Sequence, residues 1–346
     1  MEKIRLAVIG LNFGRNHVAN ILKDQMPAEL AAVVDIKEDF AAMAAGWNVP
    51  FYTDYKEMLC AEKPDGAIIA VPPQFHTSIA MDCLEAGADV LIEKPITLAG
   101  EEADRIISKA KKLDRRILVG QHHRFDPTVR MAKQRLDSGA LGRLIGFHVF
   151  GTLPKPEWYF AQEYKRLRSK GGGTVANNGI HDVDRIRFLC GDVVCVHAMK
   201  GNAIRGFEVE DTAAVAMLCK SGVVGTYYIS DCSHPLSPYT DTYFAEKATL
   251  RFKSSSFYAQ SGFYTYQEGS LGEGFDYRER EKEVRTLEIP VGDNHYREVE
   301  HFCDVIMRRC TPVTTGEDGK KSMLLMNAII ESLDTNKTVH LDQSNN

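Results

Sequence analysis

The tripeptide Glu93-Lys94-Pro95 closes a short apolar run that begins at Asp89. Proline has no N–H and a fixed φ, so a strand there cannot continue past Lys94. Ligands of open parallel sheets bind just beyond the carboxyl ends of strands, and a lysine delivered to that place is positioned for chemistry. The same tripeptide also fits an ion pair at a strand end. Upstream, Gly10-Leu11-Asn12-Phe13-Gly14-Arg15 follows a β-type run, Lys3 to Ile9, and precedes helical spacing from Asn16 to Leu22. Strand, glycine turn and helix together offer unpaired N–H groups to a pyrophosphate. The second glycine slot of a dinucleotide turn holds Asn12, which tolerates positive φ, and the third holds Arg15 with Gly14 one place early. Asp35 ends the next run, Leu30 to Val34, where a carboxylate accepts hydrogen bonds from an adenosine ribose and repels a 2′-phosphate. NAD is therefore expected over NADP. Asp35 equally fits a cap on a helix over Glu38 to Gly46. Downstream, Gly171-Gly172-Gly173 leads through Asn177 and Asn178 to His181, Asp182 and Asp184.

These residues need elements to hold them. Apolar runs at Lys3–Ile9, Leu30–Val34, Val49–Tyr52, Gly66–Val71, Asp89–Ile92 and Arg116–Val119 alternate with helical segments. Six such strands predict a doubly wound parallel sheet over residues 1–123. Alternating runs follow at Leu144–Gly151, Val193–Met199, Thr212–Cys219, Val223–Ser230 and Tyr243–Phe252. They predict a second α/β domain over 124–346 with a mostly antiparallel sheet. Helices are expected at Pro127–Leu136, Tyr296–Arg309 and Lys320–Leu333, the last returning near the domain junction, then a strand Thr338–Leu341 and a disordered polar tail, Asp342–Asn346.

A chain of 346 residues divides by default into two domains. A net charge of −5 argues against nucleic acid or an anionic membrane as the main partner. No apolar run approaches the roughly 18–20 residues of a membrane helix. The start Met1-Glu2-Lys3-Ile4 leads straight into a strand, and no signal peptide is expected. Eight cysteines without a C-x-x-C pair fit reduced thiols of a cytoplasmic protein. His122 and His123 are adjacent and no cysteine stands in ligand register with them, so no metal is expected. Phosphoryl transfer is disfavoured because no G-x-x-x-x-G-K-[ST] occurs.

Taken in order, the glycine turn, Val71-Pro72-Pro73 with His76, Glu93-Lys94-Pro95, the Gln121–Pro127 run, the triple glycine with His181 and Asp184, Val209-Glu210-Asp211-Thr212 and Gly316-Glu317-Asp318-Gly319 resemble the Gfo/Idh/MocA family of NAD(P)-dependent oxidoreductases. The resemblance implies a Rossmann domain followed by an α/β domain whose open sheet often forms an oligomer interface, here a homodimer or homotetramer. It implies hydride transfer between a secondary alcohol of a sugar, inositol or related polyol and NAD. Cofactor contacts are then expected from Gly10, Asn12, Phe13, Gly14, Asp35, Val71, Pro72, Pro73, His76, Glu93, Lys94 and Gln121. Lys94 and His181 correspond to the family's lysine and histidine. Asn177 stands where members often carry aspartate, and an amide supplies no negative charge. A positioned imidazole takes the hydroxyl proton and a nearby ammonium stabilises the developing alkoxide, so His181 is the expected base and Lys94 its partner. Without Asp at 177, His181 would borrow from Asp182 or Asp184. Substrate hydroxyls are expected to meet Asn177 and Asn178, with Trp158 and Arg168 lining the site or anchoring their loop. Two other readings fit the same residues: an enzyme that retains NAD for epimerisation or elimination, and an inactive NAD- or sugar-sensing regulator.

Overall fold

The computed structural model describes residues 3–202, 204–233, 239–253, 262–268, 285–289 and 292–341. Two compact units divide them: Met1–Phe125 with Asp293–Met323, and Asp126–Gly292 with Leu324–Asn346. In the first, strands β1 (Ile4–Ile9), β2 (Ala28–Val34), β3 (Phe51–Tyr52), β4 (Gly66–Ile69), β5 (Asp89–Ile92) and β6 (Ile117–Val119) form one parallel sheet in the order β3-β2-β1-β4-β5-β6. Leu6, Ala7, Val8, Ile68, Val90, Leu91 and Ile92 are all fully buried, the continuous apolar run of strands covered on both faces. The helices are α1 (Leu11–Ile21), α2 (Ala41–Gly46), α3 (Tyr55–Glu62), α4 (His76–Glu85) and α5 (Gly100–Lys112). In α3 the Asp54 side chain accepts from the Lys56 N–H and caps the first turn. In α5, Glu101 and Glu102 open the helix while Lys109, Lys111 and Lys112 close it, matching its dipole. Helix α1 begins at Leu11, not Asn16, so Asn12 lies inside its first turn and needs no positive φ.

In the second unit, α6 (Pro127–Asp137) leads to β7 (Leu144–Thr152) and short 3₁₀ turns between Glu157 and Lys170. The glycine-rich segment opens a π-helical turn, Val175–Gly179, that continues as α7 (Ile180–Cys190). Strands β8 (Val193–Gly201), β9 (Thr212–Cys219), β10 (Val224–Ser230), β11 (Tyr239–Ala245), β12 (Ala248–Lys253), β13 (Gly262–Glu268) and β14 (Arg285–Ile289) follow. The expected run 243–252 is thus two strands, and β13 and β14 were not expected. A chain reversal between β11 and β12 is braced by Glu246, whose carboxylate accepts from the Arg143 N–H at 2.9 Å and from its Nε at 2.7 Å. Burial alternates along β9, which leaves one face of that strand exposed.

Helix α8 (Asn294–Ile306) belongs to the first unit, which corrects the expected assignment of 124–346 to the second domain. Its buried Val299, Phe302 and Cys303 join Val18 and Ile21 of α1 in one core. An amphipathic stripe shows that a helix is buried on one side, not which core receives it. Helix α9 (Gly316–Thr335) runs from the first unit into the second, and β15 (Val339–His340) completes the second sheet, ordered β14-β13-β12-β11-β7-β10-β9-β8-β15. All its pairs are antiparallel except β7 with β10. No helix among the described residues is long and apolar enough to cross a membrane. The tail 342–346 lies outside the described residues.

Candidate active site

The order of the first sheet reverses between β1 and β4, and there the glycine turn meets the end of β4. Gly10 has φ +93°, and a Cβ on it would stand 2.7 Å from the Ala70 carbonyl oxygen and 2.8 Å from Val71 Cγ1. Only glycine fits such a place. Gly14 performs the second glycine function, since a Cβ there would be 2.7 Å from Val8 Cγ1. Helix α1 therefore sits directly on β1. Its N-cap residue, Gly10, has no side chain to cap it and no acidic residue occupies its first turn, leaving the N–H groups of Asn12 and Phe13 at the positive end of the dipole, suited to a pyrophosphate. Asp35 is partly accessible and braces the turn itself: Oδ2 accepts from the Leu11 N–H at 2.8 Å and Oδ1 from the Lys37 N–H at 3.0 Å. Each oxygen retains a second lone pair for a ribose hydroxyl.

His76 is fully buried, with Nε2 2.9 Å from the Val71 carbonyl and Nδ1 3.0 Å from that of Pro95. Burial pushes its pKa down, against the raising effect of these carbonyl bonds. It ties Val71-Pro72-Pro73 to the Lys94 corner and has no surface for a cofactor, which corrects its expected role. Glu93 is corrected likewise. Its Oε1 meets His17 Nε2 at 2.7 Å and its Oε2 accepts from the Lys94 N–H at 3.2 Å, so the carboxylate is committed inward. Burial opposes its ionisation, but the His17 bond and nearby cationic groups outweigh that and hold its pKa low. Lys94 is half-buried, and its peptide bond to Pro95 is cis. Desolvation pulls the Lys94 pKa below the ordinary lysine value, and the Glu93 charge props it up. Gln121 is buried with neither amide atom bonded to the described residues. The N–H groups of Asn12 and Phe13, Asp35 and the orphaned Gln121 amide together fit a dinucleotide with a carboxamide.

In the second unit, the π turn holds Asn177 and Asn178 immediately before His181, and such wide turns are frequent at functional sites. All three are partly accessible. The Asn177 amide donates to the Lys165 carbonyl at 3.4 Å, while Asn178 Nδ2 has no partner among the described residues. Gly179 allows close packing, because a Cβ would lie 2.7 Å from the Tyr227 hydroxyl. Asp182 is not available to His181. It is buried, accepting from Tyr227 Oη at 2.9 Å and pairing with Arg185 at 2.9 Å. Arg185 in turn binds Asp241 through Nε at 2.6 Å and Nη2 at 3.1 Å. Of the two roles expected for Arg168, anchoring is the one seen and substrate lining is corrected. Its guanidinium reaches Glu210 at 2.5 Å, the Gly172 carbonyl at 3.2 Å and Asp334 at 3.2 Å, so it fastens the glycine segment and is spent as a substrate contact. Trp158 stands 74% exposed, with its ring edge-on to Tyr159. Sequence reasoning missed His17, Arg185, Glu210 and Asp241 as the residues that hold these groups. The signal for His17, Arg185 and Asp241 was a charge or imidazole within an apolar pattern, while Glu210 stood in the Val209–Thr212 motif with no role assigned to it.

The first sheet, its switch point and the glycine-led helix define a nicotinamide-dinucleotide-binding protein of the Rossmann class. Comparisons with known proteins agree. The model "Oxidoreductase family, NAD-binding Rossmann fold" matches residues 4–121, and the "GFO/IDH/MocA C-terminal domain" model matches 129–251. Myo-inositol 2-dehydrogenase of Thermotoga maritima is 26% identical over 98% of this chain and 99% of its own. D-glucoside 3-dehydrogenase of Escherichia coli is 24% identical over 98% and 97%. The WlbA dehydrogenase of Bordetella pertussis, solved with NADH and UDP-GlcNAcA, superposes with TM-score 0.82 over 99% of both chains at 23% identity, a likeness that shows the fold. The chain belongs to the Gfo/Idh/MocA family of NAD-binding oxidoreductases.

Proposed function

We propose that the protein transfers hydride between a secondary alcohol of a sugar, inositol or related polyol and NAD. The observation that carries this is Lys94, a half-buried lysine at the carboxyl end of β5 in the dinucleotide-binding unit, its pKa drawn down by burial. NAD supplies the hydride acceptor or donor when bound. The α1 N-terminus binds the pyrophosphate, Asp35 the adenosine ribose and Gln121 the carboxamide. His181 takes the hydroxyl proton in oxidation and returns it in reduction, while Lys94 stabilises the alkoxide oxygen. Asn177 and Asn178 orient neighbouring hydroxyls. The relatives' named substrates, an inositol and a glucoside, support the polyol class.

A screen of inositols, aldoses and glycosides with NAD, read by the absorbance of reduced nicotinamide, tests the proposal. Turnover of at least one is expected, and NAD binding without turnover of any would favour the sensing reading. We assign the protein to the cytoplasm, supported by eight unbridged cysteines. We also assign it a homo-oligomeric state, dimer or tetramer, through the second sheet. Val224, Leu218, Phe244 and Met199 are exposed there, and exposed apolar patches mark association surfaces.

A further inference from the structure

Beside Lys94 lies a group of ionisable side chains that the mechanism above does not use. Glu93 is held from three directions within the first unit. His17 of α1, itself fully buried, meets Oε1 at 2.7 Å. The Lys94 N–H bonds Oε2 at 3.2 Å. At the end of β6, Gly120 lies so close that a Cβ would be 3.1 Å from Oε2 and 3.2 Å from Glu93 Cα. A larger residue at 120 would press directly on the carboxylate. His17 Nδ1 has no partner among the described residues, so Nε2 alone ties the ring to Glu93. Helix α8 adds His295, whose ring lies 5.9 Å from that of His17, with the buried Glu298 3.8 Å behind it. The charged and titratable groups facing Glu93 are thus His17, His295, His76 and Lys94, with Glu298 beyond His295.

We propose that Glu93 is a positioning residue for Lys94: clamped by His17, its carboxylate keeps the half-buried ammonium charged and oriented at the working pH. The physical case is direct. An ammonium that loses water loses its proton more easily, unless a fixed anion replaces the lost solvation. Lys94 sits in such a place, and Glu93 is the anion bonded to its own backbone. A carboxylate left to rotate would spread that field, and His17 prevents rotation by anchoring Oε1 to the helix whose N-terminus meets the dinucleotide. Burial and the Glu93 charge act on the Lys94 pKa in opposite directions, as this arrangement requires.

This inference rests on the role proposed for Lys94, and two readouts separate its failure from the failure of that role. The first is kcat/KM against pH for the unmodified enzyme and Glu93→Gln with one substrate. Gln keeps an oxygen to accept from His17 and removes the charge. The alkaline limb, where Lys94 loses its proton, should move down by about one pH unit or more, with the acidic limb unmoved. A structural loss alone would lower the whole profile without moving a limb. The second readout needs no turnover. Competitive acetylation of Lys94 against pH, read by mass spectrometry of the peptide, should show the same downward shift of its titration in Glu93→Gln. Should Glu93→Gln fail to fold, Glu93→Asp is read in its place; its carboxylate is withdrawn from His17, and a smaller downward shift is expected. An acetylation profile that does not move overturns the positioning role of Glu93 whatever the activity. A profile that moves while turnover stays independent of Lys94 supports it and overturns the catalytic role instead.

Discussion

An ammonium half-buried at a strand end is costly to keep charged, and that cost is what makes Lys94 useful. Its charge meets little competing water, so it acts strongly on oxygen as negative charge builds there. Lys94→Ala is expected to lower kcat about a hundredfold or more, equivalent to about 3 kcal/mol. NAD affinity, measured by titration calorimetry, should change little, because the pyrophosphate site at α1 is untouched. Near-full activity would reduce the Glu-Lys-Pro corner to a structural feature. At Asp35, Ser should narrow the preference for NAD over NADP, since the charge that repels a 2′-phosphate is gone. NAD binding itself should also weaken, because Asp35 holds the Leu11 N–H and thereby the turn. Binding constants for both cofactors, before and after the change, decide this; equal constants in the unmodified protein would remove the basis of the assignment.

At the scale of elements, two glycines make opposite cases. Gly14 has Val8 Cγ1 2.7 Å from the place of a Cβ, so Gly14→Ala should push α1 off β1 and cost about 1–3 kcal/mol. Gly46 ends α2 with open space around it and no positive φ, so Gly46→Ala should stabilise by roughly 0.4–1 kcal/mol. Thermal melts of the two variants should therefore move in opposite directions. In the second unit, α7 is held by buried charge. Arg185 is fully buried between Asp182 and Asp241, and Tyr243 donates to Asp241 at 3.1 Å. Removing the cation strands two carboxylates, so Arg185→Met should cost about 3–5 kcal/mol. Burial already raises the Asp182 pKa in the intact protein. As pH falls through the raised Asp182 pKa the unmodified protein should itself gain some stability, and the variant, with two carboxylates stripped of their cation, should gain more. Denaturation midpoints against pH compare the two.

The whole molecule adds the exposed face of its second sheet. Phe150 and Tyr228 stack with ring centroids 5.1 Å apart, on the same side of the paired strands β7 and β10 as the exposed Val224. A second copy of the chain is the proposed cover. Val224→Glu with Phe244→Glu should lower the sedimentation mass toward that of a 38.7 kDa monomer. A monomer in the unmodified protein would end this proposal.

Much of the first unit was legible because its cause is local. Parallel strands buried on both faces must be continuously apolar, and a glycine turn between strand and helix has few other uses, so the fold and the places of Gly10, Asp35 and Lys94 follow from short stretches. Part of the second sheet showed as alternation, but a run of strand-forming residues concealed the split between β11 and β12, and β13 and β14 were not expected. What the tertiary structure alone decided is which side chains are already spent. Arg168 looks like a substrate fork until Glu210, 42 positions later, is found against it. Glu93 and His76 look like cofactor contacts until His17 and the Val71 and Pro95 carbonyls take up their polar atoms. Asp182 stands next to His181 in the chain yet turns into the core to meet Arg185 and Tyr227. Pairing between charged groups depends on distance in space, and residues 42 or 76 apart in sequence carry no local sign of it. Residue type sets what a group is able to do; the packing around it sets whether it is free to do it.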